Sequence, residues 1–248
     1  GVHLGSWGYD FNRPKHLKQL IEAILERTTI PRIRVSSLEP WDLVEDFFEL
    51  WNNPRMCRHL HLPLQSGSKR TLRRMARNTT PKKFANLVEN ARHHIPDVAI
   101  TTDLILGFPG ETDEEFLETK KFVKEMEFAS AHVFTYSERA GTAAAIMLDQ
   151  VVHRTRKERS TAIREITTSH TNKFQERFIG KNINVLWESI KPDNQNGWKI
   201  SGLSDNYLRV NTRTTQPIWN QITPTQITKK SQNRLIGEII TLPNIIMI

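Results

Sequence analysis

The stretch VAITTDLILGF, residues 98–108, decides the fold more than any other part of the sequence. It is a nearly continuous apolar run, which is typical of a strand buried on both faces of a parallel sheet. A Pro-Gly pair ends the run, and Thr112 follows as a helix N-cap with Glu115 three residues later. This capping box predicts a helix that extends to about Met126. A buried strand followed directly by a capped helix indicates an α/β protein with a parallel sheet.

The sequence around this unit repeats the alternation of strand and helix. The chain is expected to begin on the end of a first strand, which residues 5–8 follow. Period-two patterns predict further strands, and period-3.6 patterns predict helices between them. Four helical connections between the successive strands, the third of them a pair of helices, imply right-handed crossovers in a parallel sheet, either open or curled into a barrel. The predicted strands are 33–37, 59–64 and 131–137, and the predicted helices are 14–27, 41–52, 69–77 and 81–94.

The second half of the sequence has a different character. Residues 153–177 form a long, highly charged helical pattern. From residue 178 onward, short β-rich runs are separated by Asn, Gly, Pro and Asp turns, which predicts a small all-β domain. These runs are NINVLWES (182–189), GWKISGLS (197–204), NYLRVNT (206–212) and LIGEII (235–240). The predicted organisation is therefore a (β/α) domain over 1–152, a connecting helix over 153–177 and a β domain over 178–248.

Composition limits the class of protein. The chain has 248 residues and 38% hydrophobic content, which suits one large domain or one domain with a small appendix. No run approaches the roughly 20 apolar residues that cross a bilayer, and no signal-peptide pattern opens the chain. The single cysteine, Cys57, excludes an internal disulfide framework and cannot hold a metal cluster alone. We therefore expect a cytoplasmic protein without membrane association.

The net charge of +8 favours a polyanionic partner. The segment from Lys69 to Arg92 is rich in basic residues and holds one acid, Glu89. A solvated helix face is the usual explanation of such a segment. In the β domain, basic residues alternate with aromatic ones, a combination that captures single-stranded RNA by charge and stacking, although core packing is the ordinary role of aromatics. The predicted RNA-binding residues are Lys181, Trp198, Lys199, Tyr207 and Arg209.

Small or polar residues follow every predicted strand. In parallel α/β folds the ligand site lies at the carboxyl ends of the strands, so these residues are candidates for a polar-ligand site. Turn formation alone explains many of them. Asp103 is harder to explain, because an unpaired carboxylate inside an apolar strand costs several kcal/mol; its partner is either structural or a ligand hydroxyl or ammonium. The candidates are Gly5, Ser6, Glu39, Gln65, Ser66, Asp103 and Arg139.

The residues alone do not name a reaction, since no catalytic triad, Walker loop or G-x-G-x-x-G motif is present. Several blocks, however, resemble in order the methylthiotransferases of the radical-SAM superfamily. The closing segments resemble the TRAM domain, an RNA-binding β-barrel that ends these enzymes. The blocks are GVHLGSWG (1–8), RVSSLEP (34–40), CRHLHLPLQSGS (57–68), RRMARNTT (73–80), AITTDLILGFPGET (99–112) and HVFTYSERAGTAAA (132–145), then FIGKNINVLWES (178–189), DNYLRVN (205–211) and LIGEII (235–240).

The resemblance implies a partial radical-SAM (β/α) barrel followed by a TRAM-like barrel. It also implies S-adenosylmethionine and [4Fe–4S] clusters as cofactors, tRNA as substrate and an unidentified sulfur donor. In the family, a C-x-x-x-C-x-x-C loop after the first barrel strand holds one cluster, which cleaves S-adenosylmethionine to a radical that attacks C2 of an adenine. A second cluster, on an N-terminal domain, is associated with sulfur delivery. The family's pattern assigns the strand-end candidates to the rim of the S-adenosylmethionine site.

This chain departs from the family by lacking both sets of cysteines. The resemblance therefore implies that the cluster ligands lie upstream, in a first βα unit absent from this chain, and that the chain alone is inactive.

The blocks RVSSLEP and LGSWG are most similar to the branch that acts on N6-threonylcarbamoyladenosine at tRNA position 37. The alternatives are the isopentenyladenosine branch, the ribosomal-protein branch and a non-catalytic tRNA-binding fragment. An unrelated (β/α) barrel enzyme with a phosphate-bearing substrate is a further alternative, against which the missing phosphate-binding loops count.

Overall fold

A computed structural model describes residues 4–41, 43, 46–193, 197–232 and 234–242. The chain divides into two compact units, Gly1–Thr171 and Asn172–Ile248. Of the residues before Gly5, where the end of a first strand is expected, only Leu4 is described, and it begins the 3-10 helix Leu4–Ser6.

The first unit contains a parallel sheet of three strands in the order β1-β2-β3: β1 (His59–His61), β2 (Ala99–Leu106) and β3 (Ser130–Thr135). These strands confirm the three predictions made around residues 59–64, 98–108 and 131–137. β1 ends before Pro63, which has no N–H to donate to a neighbouring strand. The chain rejoins the sheet at Gln65, whose N–H donates to the Asp103 carbonyl at 2.8 Å.

Within the described residues, five helices surround this sheet or follow it. They are α1 (Leu17–Arg27), α2 (Lys69–Arg74), α3 (Pro81–His94), α4 (Asp113–Met126) and α5 (His153–Glu176). Short 3-10 helices cover Leu4–Ser6, Phe47–Asn52 and Ala143–Ile146. The predicted capping box of α4 is confirmed, because the Thr112 hydroxyl accepts the Glu115 N–H and the Glu115 carboxylate accepts the Thr112 N–H.

Two predictions before β1 are wrong in detail. Residues 33–37 make a single bridge between Ile33 and Met56 instead of a strand. Ser37 has a φ of 58°, a left-handed conformation that ends extended backbone. The segment predicted as a helix over 41–52 contains the 3-10 helix Phe47–Asn52, and residues 42, 44 and 45 lie outside the described residues. The aromatic side chains of this segment are buried on several sides, whereas an amphipathic helix would bury only one face.

Side chains of β2 alternate between the two faces of the sheet. Ile100, Leu104 and Leu106 are buried and belong to the main hydrophobic core with residues of α3 and α4. Thr101 and Asp103 are only half-buried and point to the opposite face, as the period of two requires. The sheet therefore has one face packed against helices and one polar face.

A buried ion pair fixes the loop that follows β2. The Glu111 carboxylate accepts the Gly107 N–H at 2.6 Å and the Arg159 guanidinium of α5 at 3.0 Å, and both side chains are almost fully buried. Burial raises the pKa of Glu111, although the Gly107 N–H and Arg159 favour the ionised form. Gly107 has a φ of 72°, and a Cβ there would lie 2.4 Å from Arg156 Cγ, so the loop tolerates only glycine.

The second unit contains a closed barrel of five strands in the order β4-β5-β6-β8-β7. The strands are β4 (Asn182–Asp193), β5 (Gly197–Ser204), β6 (Arg209–Thr214), β7 (Ile222–Ser231) and β8 (Arg234–Ile239). This confirms the predicted all-β character. The sequence pattern missed β7 because Pro224 interrupts its run, and a proline argues against a central strand. Trp187 lies fully buried, and its indole N–H donates to the Thr223 hydroxyl at 2.8 Å.

Among the described residues, no helix is long and apolar enough to cross a membrane.

Candidate functional site

The polar face of the sheet, formed by His59, His61, Thr101, Asp103 and His132, is the candidate cofactor site. Two histidines come from β1, the threonine and the aspartate from β2, and His132 from β3. Asp103 is in register with His132, and the His61 and His132 ring centroids are 6.2 Å apart. Three neighbouring strands thus bring imidazole, hydroxyl and carboxylate groups together on one face.

These side chains form a continuous chain of hydrogen bonds. The Arg34 guanidinium lies 3.5 Å from His59 Nδ1, and His59 Nε2 lies 3.1 Å from the Thr101 hydroxyl. The same hydroxyl lies 3.0 Å from His61 Nδ1, and His61 Nε2 lies 3.3 Å from an Asp103 carboxylate oxygen. Since a guanidinium only donates and a carboxylate only accepts, one orientation satisfies all four contacts. With every donor pointing towards Asp103, His59 donates through Nε2 to the Thr101 hydroxyl, which also lies 3.4 Å from the Leu60 carbonyl oxygen.

The titration of His59 agrees with this orientation. Burial, with smaller contributions from the charges of Arg34 and His61, lowers the pKa of His59 to about 3. His59 is therefore neutral at physiological pH and carries a single ring proton, as a link between the guanidinium and the threonine hydroxyl requires. Asp103 thus has a structural partner, His61, as expected for a carboxylate inside an apolar strand. The Asp103 side chain is still 26% exposed, which leaves room for a further contact.

Gln65 is the second candidate that the structure places beside Asp103. Its backbone has a φ of 76° and bridges into the sheet next to Leu104. The amide oxygen of its side chain is buried and has no hydrogen-bond partner among the described residues. A buried acceptor without a donor is costly, so this atom points to a missing donor such as a ligand hydroxyl or ammonium.

Glu39 and Ser66 have structural partners. The Glu39 carboxylate pairs with Arg77 at 2.6 Å, and Arg77 also donates to the Pro63 carbonyl at 3.1 Å. Ser66 is buried, and its hydroxyl lies 3.1 Å from the Thr119 hydroxyl of α4. Ser66 therefore faces α4, away from the polar face.

The remaining candidates lie on other segments. Gly5 is buried and Ser6 half-buried in the first 3-10 helix, where the Ser6 carbonyl accepts the Tyr9 N–H. Arg139 is exposed in the loop after β3, and its carbonyl accepts two hydrogen bonds from Thr142.

Sequence reasoning missed the histidines of the polar face. His59 and His61 are two residues apart in β1, a spacing that places both on the same side of a strand. That spacing in HLHLPL was the available signal. Their contacts with Thr101 and Asp103, about 40 residues further along the chain, are visible only in the folded sheet.

A basic groove on the outside of the barrel is the candidate nucleic-acid interface. Its volume is about 840 Å³. The side chain of Asp193 is 6% exposed, and it pairs with Lys199 and Arg213, each at 2.9 Å. The other four cations of the groove, Lys191, Arg209, Lys229 and Arg234, have no ion-pair partner within the described residues. The basic residues that line the groove are Lys191, Lys199, Arg209, Arg213, Lys229 and Arg234, against the single acid Glu238.

The groove contains only part of the predicted RNA-binding set. Lys199 and Arg209 line it. Trp198 is half-buried and lies in register with Thr214, at the neighbouring end of β5. Tyr207 is 43% exposed in the turn before β6, and Lys181 lies over the Phe178 ring.

Residues 2–123 match the family model described as the radical SAM superfamily. This match covers about half of the chain, and two of its curated relatives are named as tRNA methylthiotransferases. "Threonylcarbamoyladenosine tRNA methylthiotransferase MtaB" of Bacillus subtilis is 33% identical over 92% of this chain and 51% of the relative. "tRNA-2-methylthio-N(6)-dimethylallyladenosine synthase" of Acetivibrio thermocellus is 37% identical over 78% of this chain and 41% of the relative.

The chain spans about half the length of the curated relatives that it matches. Among solved structures, it is similar to coproporphyrinogen III oxidase (HemN) from Escherichia coli, with 16% identity over 91% of this chain and 56% of that chain and a TM-score of 0.47.

The superfamily implies two cofactors, and only one of them fits the residues of this chain. An iron–sulfur cluster requires several thiolates, whereas the chain has one cysteine, Cys57, which is buried. The described residues also contain no group of three or more His, Cys, Asp or Glu side chains that could hold a metal ion. S-adenosylmethionine fits better, because its ammonium and hydroxyl groups are the donors that the Gln65 amide oxygen and the Asp103 carboxylate accept.

The low pKa of His59 predicts a pH-dependent stability of the first unit. In the unfolded chain this imidazole binds a proton below about pH 6.5, whereas in the folded sheet it does so only near pH 3. The contribution of neutral His59 to the free energy of unfolding is therefore complete above pH 6.5 and declines as the pH falls. Between pH 7.5 and pH 5, the decline amounts to about 2 kcal/mol.

We expect His59→Gln to remove this pH dependence. Native-state hydrogen exchange of the β2 amides at both pH values measures the opening free energy. His93→Gln, on the exposed surface of α3, is the matched control and should retain the wild-type pH dependence. An equal pH dependence in His59→Gln and in the wild type would show that His59 is not held neutral by the sheet.

Proposed function

We propose that this chain is part of a tRNA methylthiotransferase that adds a methylthio group to C2 of N6-threonylcarbamoyladenosine at tRNA position 37 by radical S-adenosylmethionine chemistry. The observation that carries the proposal is the polar face; the buried, unsatisfied amide oxygen of Gln65, whose backbone N–H bonds to the Asp103 carbonyl, supports it. This face lies within the segment that matches the radical SAM superfamily. The named activities of the curated relatives supply the reaction and the substrate class.

Asp103 and Gln65 are the strongest candidates for contact with S-adenosylmethionine. The hydrogen-bond chain from Arg34 keeps the Asp103 carboxylate supplied with a donor on one oxygen and leaves the other for the ligand. Gln65, whose backbone bonds to that of Asp103, offers a buried acceptor. The bound cofactor would supply the radical that activates the nucleoside. Gly5, Ser6, Glu39, Ser66 and Arg139 remain proposed members of the site rim, although Glu39 and Ser66 have structural partners in this fold.

The cluster that starts radical chemistry must draw its ligands from residues other than those of this chain. We propose that these cysteines belong to another part of the same protein and that this chain alone does not cleave S-adenosylmethionine. The support is the single, buried Cys57.

The choice of N6-threonylcarbamoyladenosine rests on the blocks RVSSLEP and LGSWG and on the Bacillus subtilis relative. Sequence identity does not separate the two substrates, because relatives named for dimethylallyladenosine are 34–38% identical. The alternative substrate is therefore N6-dimethylallyladenosine at the same type of site.

Nucleoside mass spectrometry of tRNA tests the proposed function. A strain that lacks the complete gene should lose the methylthio mass from N6-threonylcarbamoyladenosine and keep the unmodified precursor. The intact gene should restore the methylthio group, whereas a gene carrying Asp103→Asn should restore little of it, because the amide cannot accept a ligand cation as the carboxylate does.

Loss of the methylthio group from N6-dimethylallyladenosine instead would assign the other substrate. Unchanged tRNA in the deletion strain would contradict the proposed function.

We further propose that the basic groove of the barrel binds the tRNA backbone. Phosphate contacts release counterions, so affinity for RNA should fall steeply as salt rises. The groove joins cations from all five strands and holds one acid among its lining residues. Trp198 and Tyr207, half-buried and exposed respectively, can stack on unpaired bases next to it. Lys181 remains a proposed contact outside the groove.

Replacing three groove cations should weaken tRNA binding. Lys191→Gln, Arg209→Gln and Arg234→Gln together remove contacts to phosphates, so the slope of log affinity against log salt should become shallower by about one for each phosphate that is no longer neutralised. Fluorescence anisotropy with labelled tRNA between roughly 50 and 200 mM salt measures the slope.

The matched control for the groove removes Lys120, Lys121 and Lys124 of α4, none of which lines the groove. A groove variant that binds like this control would refute the groove as the RNA surface.

A further inference from the structure

A second concentration of positive charge lies in the first unit, in a pocket lined by α2, residues 76–80 and the start of α3. Its volume is about 580 Å³. None of its lining residues is acidic, although it lies in the (β/α) part of the chain and shares no residue with the polar face. The lining residues are Lys69, Arg70, Arg73, Ala76, Arg77, Asn78, Thr79, Thr80 and Lys83.

Some of the basic side chains in this region form ion pairs with carboxylates of the fold. Arg70 and Arg74 of α2 pair with Glu115 of α4, where Arg70 lies 3.1 Å from the carboxylate. Arg77 pairs with Glu39 at 2.6 Å. These arginines are held by the fold, and their charges are largely balanced.

Three basic residues that line the pocket are not accounted for by ion pairs of this kind. Lys69, Arg73 and Lys83 are exposed, and within the described residues none of them has an ion-pair partner. They come from two different helices, yet all three line the same pocket. Like charges that line one pocket without an ion-pair partner give it a positive potential, which favours an anionic ligand.

The start of α3 adds to the positive potential. Thr80, which lines the pocket, is the N-cap of this 14-residue helix, and Pro81 is its first residue. The N-terminus of a helix carries a partial positive charge that favours anions. The convergent cations and the helix terminus are independent features that select the same kind of ligand.

We propose that this pocket, defined by Lys69, Arg73 and Lys83, is a phosphate-binding site for the RNA backbone. The proposal rests on the proposed function, because the identity of the polyanion as tRNA comes from there. A phosphodiester chain fits better than a single small anion, since the pocket is open, is much larger than one phosphate group and is lined by flexible side chains on the protein surface. The first unit would then contact the substrate RNA through its own cations, separately from the barrel groove.

The test compares three variants of the full chain in tRNA binding. The pocket variant carries Lys69→Gln, Arg73→Gln and Lys83→Gln. The control carries Lys120→Gln, Lys121→Gln and Lys124→Gln, which removes the same charge from α4 and leaves the pocket lining intact. The third is the groove variant described above. All substituted side chains are solvent-accessible, and unchanged thermal melting confirms that each variant is folded.

We expect the pocket variant to show a salt slope that is shallower by two to three than that of the control, about one unit for each phosphate that is no longer neutralised. Its affinity at low salt should be at least about tenfold weaker. Equal slopes and affinities for the pocket variant and the control would overturn the inference. If the groove variant binds tRNA weakly in the same experiment, the proposed function still stands. Absence of tRNA binding by the wild-type chain would overturn both.

Inorganic phosphate and pyrophosphate distinguish a small-anion site from an RNA site. If the pocket serves the RNA backbone, millimolar concentrations of either anion should displace tRNA no better than an equal ionic strength of chloride. Displacement by pyrophosphate at much lower concentration, abolished in the pocket variant, would overturn the assignment to RNA in favour of a small phosphorylated ligand.

Discussion

The alternation of side chains along β2 is the constraint on which the first unit depends. One set of residues must be apolar because it packs into the core with α3 and α4. The other set is thereby presented on the opposite face, where Thr101 and Asp103 meet the histidines of β1. A register shift of one residue would bury Asp103 in the core and expose Leu104. The packing of the core and the chemistry of the polar face are therefore two consequences of a single strand register.

Carboxylates determine which of the many cations remain available for a ligand. Glu111, Glu115 and Glu39 are each paired with arginines that the fold uses for its own stability. Such pairs hold loops and helices in place, since removing either partner would leave a buried or half-buried charge uncompensated. Several cations without such a partner line the barrel groove and the pocket between α2 and α3. Net charge alone does not distinguish these two groups.

Local patterns in the sequence predicted much of the fold, whereas the candidate site was less predictable. The apolar run of β2, the capping box at Thr112 and the long pattern of α5 depend on neighbouring residues, and all three elements were predicted. The strand over 33–37 was wrong because Ser37 adopts a left-handed conformation that composition does not reveal. The contacts of the site are non-local: Asp103 was singled out correctly as a carboxylate that needs a partner, but the partner, His61, is 42 residues away. Likewise, the unsatisfied amide oxygen of Gln65 follows from tertiary packing that no sequence pattern encodes.

A structure of the complete protein with its iron–sulfur cluster and S-adenosylmethionine bound tests the central claim most directly. We predict that the ammonium or ribose hydroxyls of the ligand lie within hydrogen-bond distance of the Asp103 carboxylate and the Gln65 amide oxygen. We also predict that His61 still contacts Asp103 in that complex. S-adenosylmethionine bound away from both residues, with the polar face in contact only with the protein itself, would contradict the assignment of this face to the cofactor.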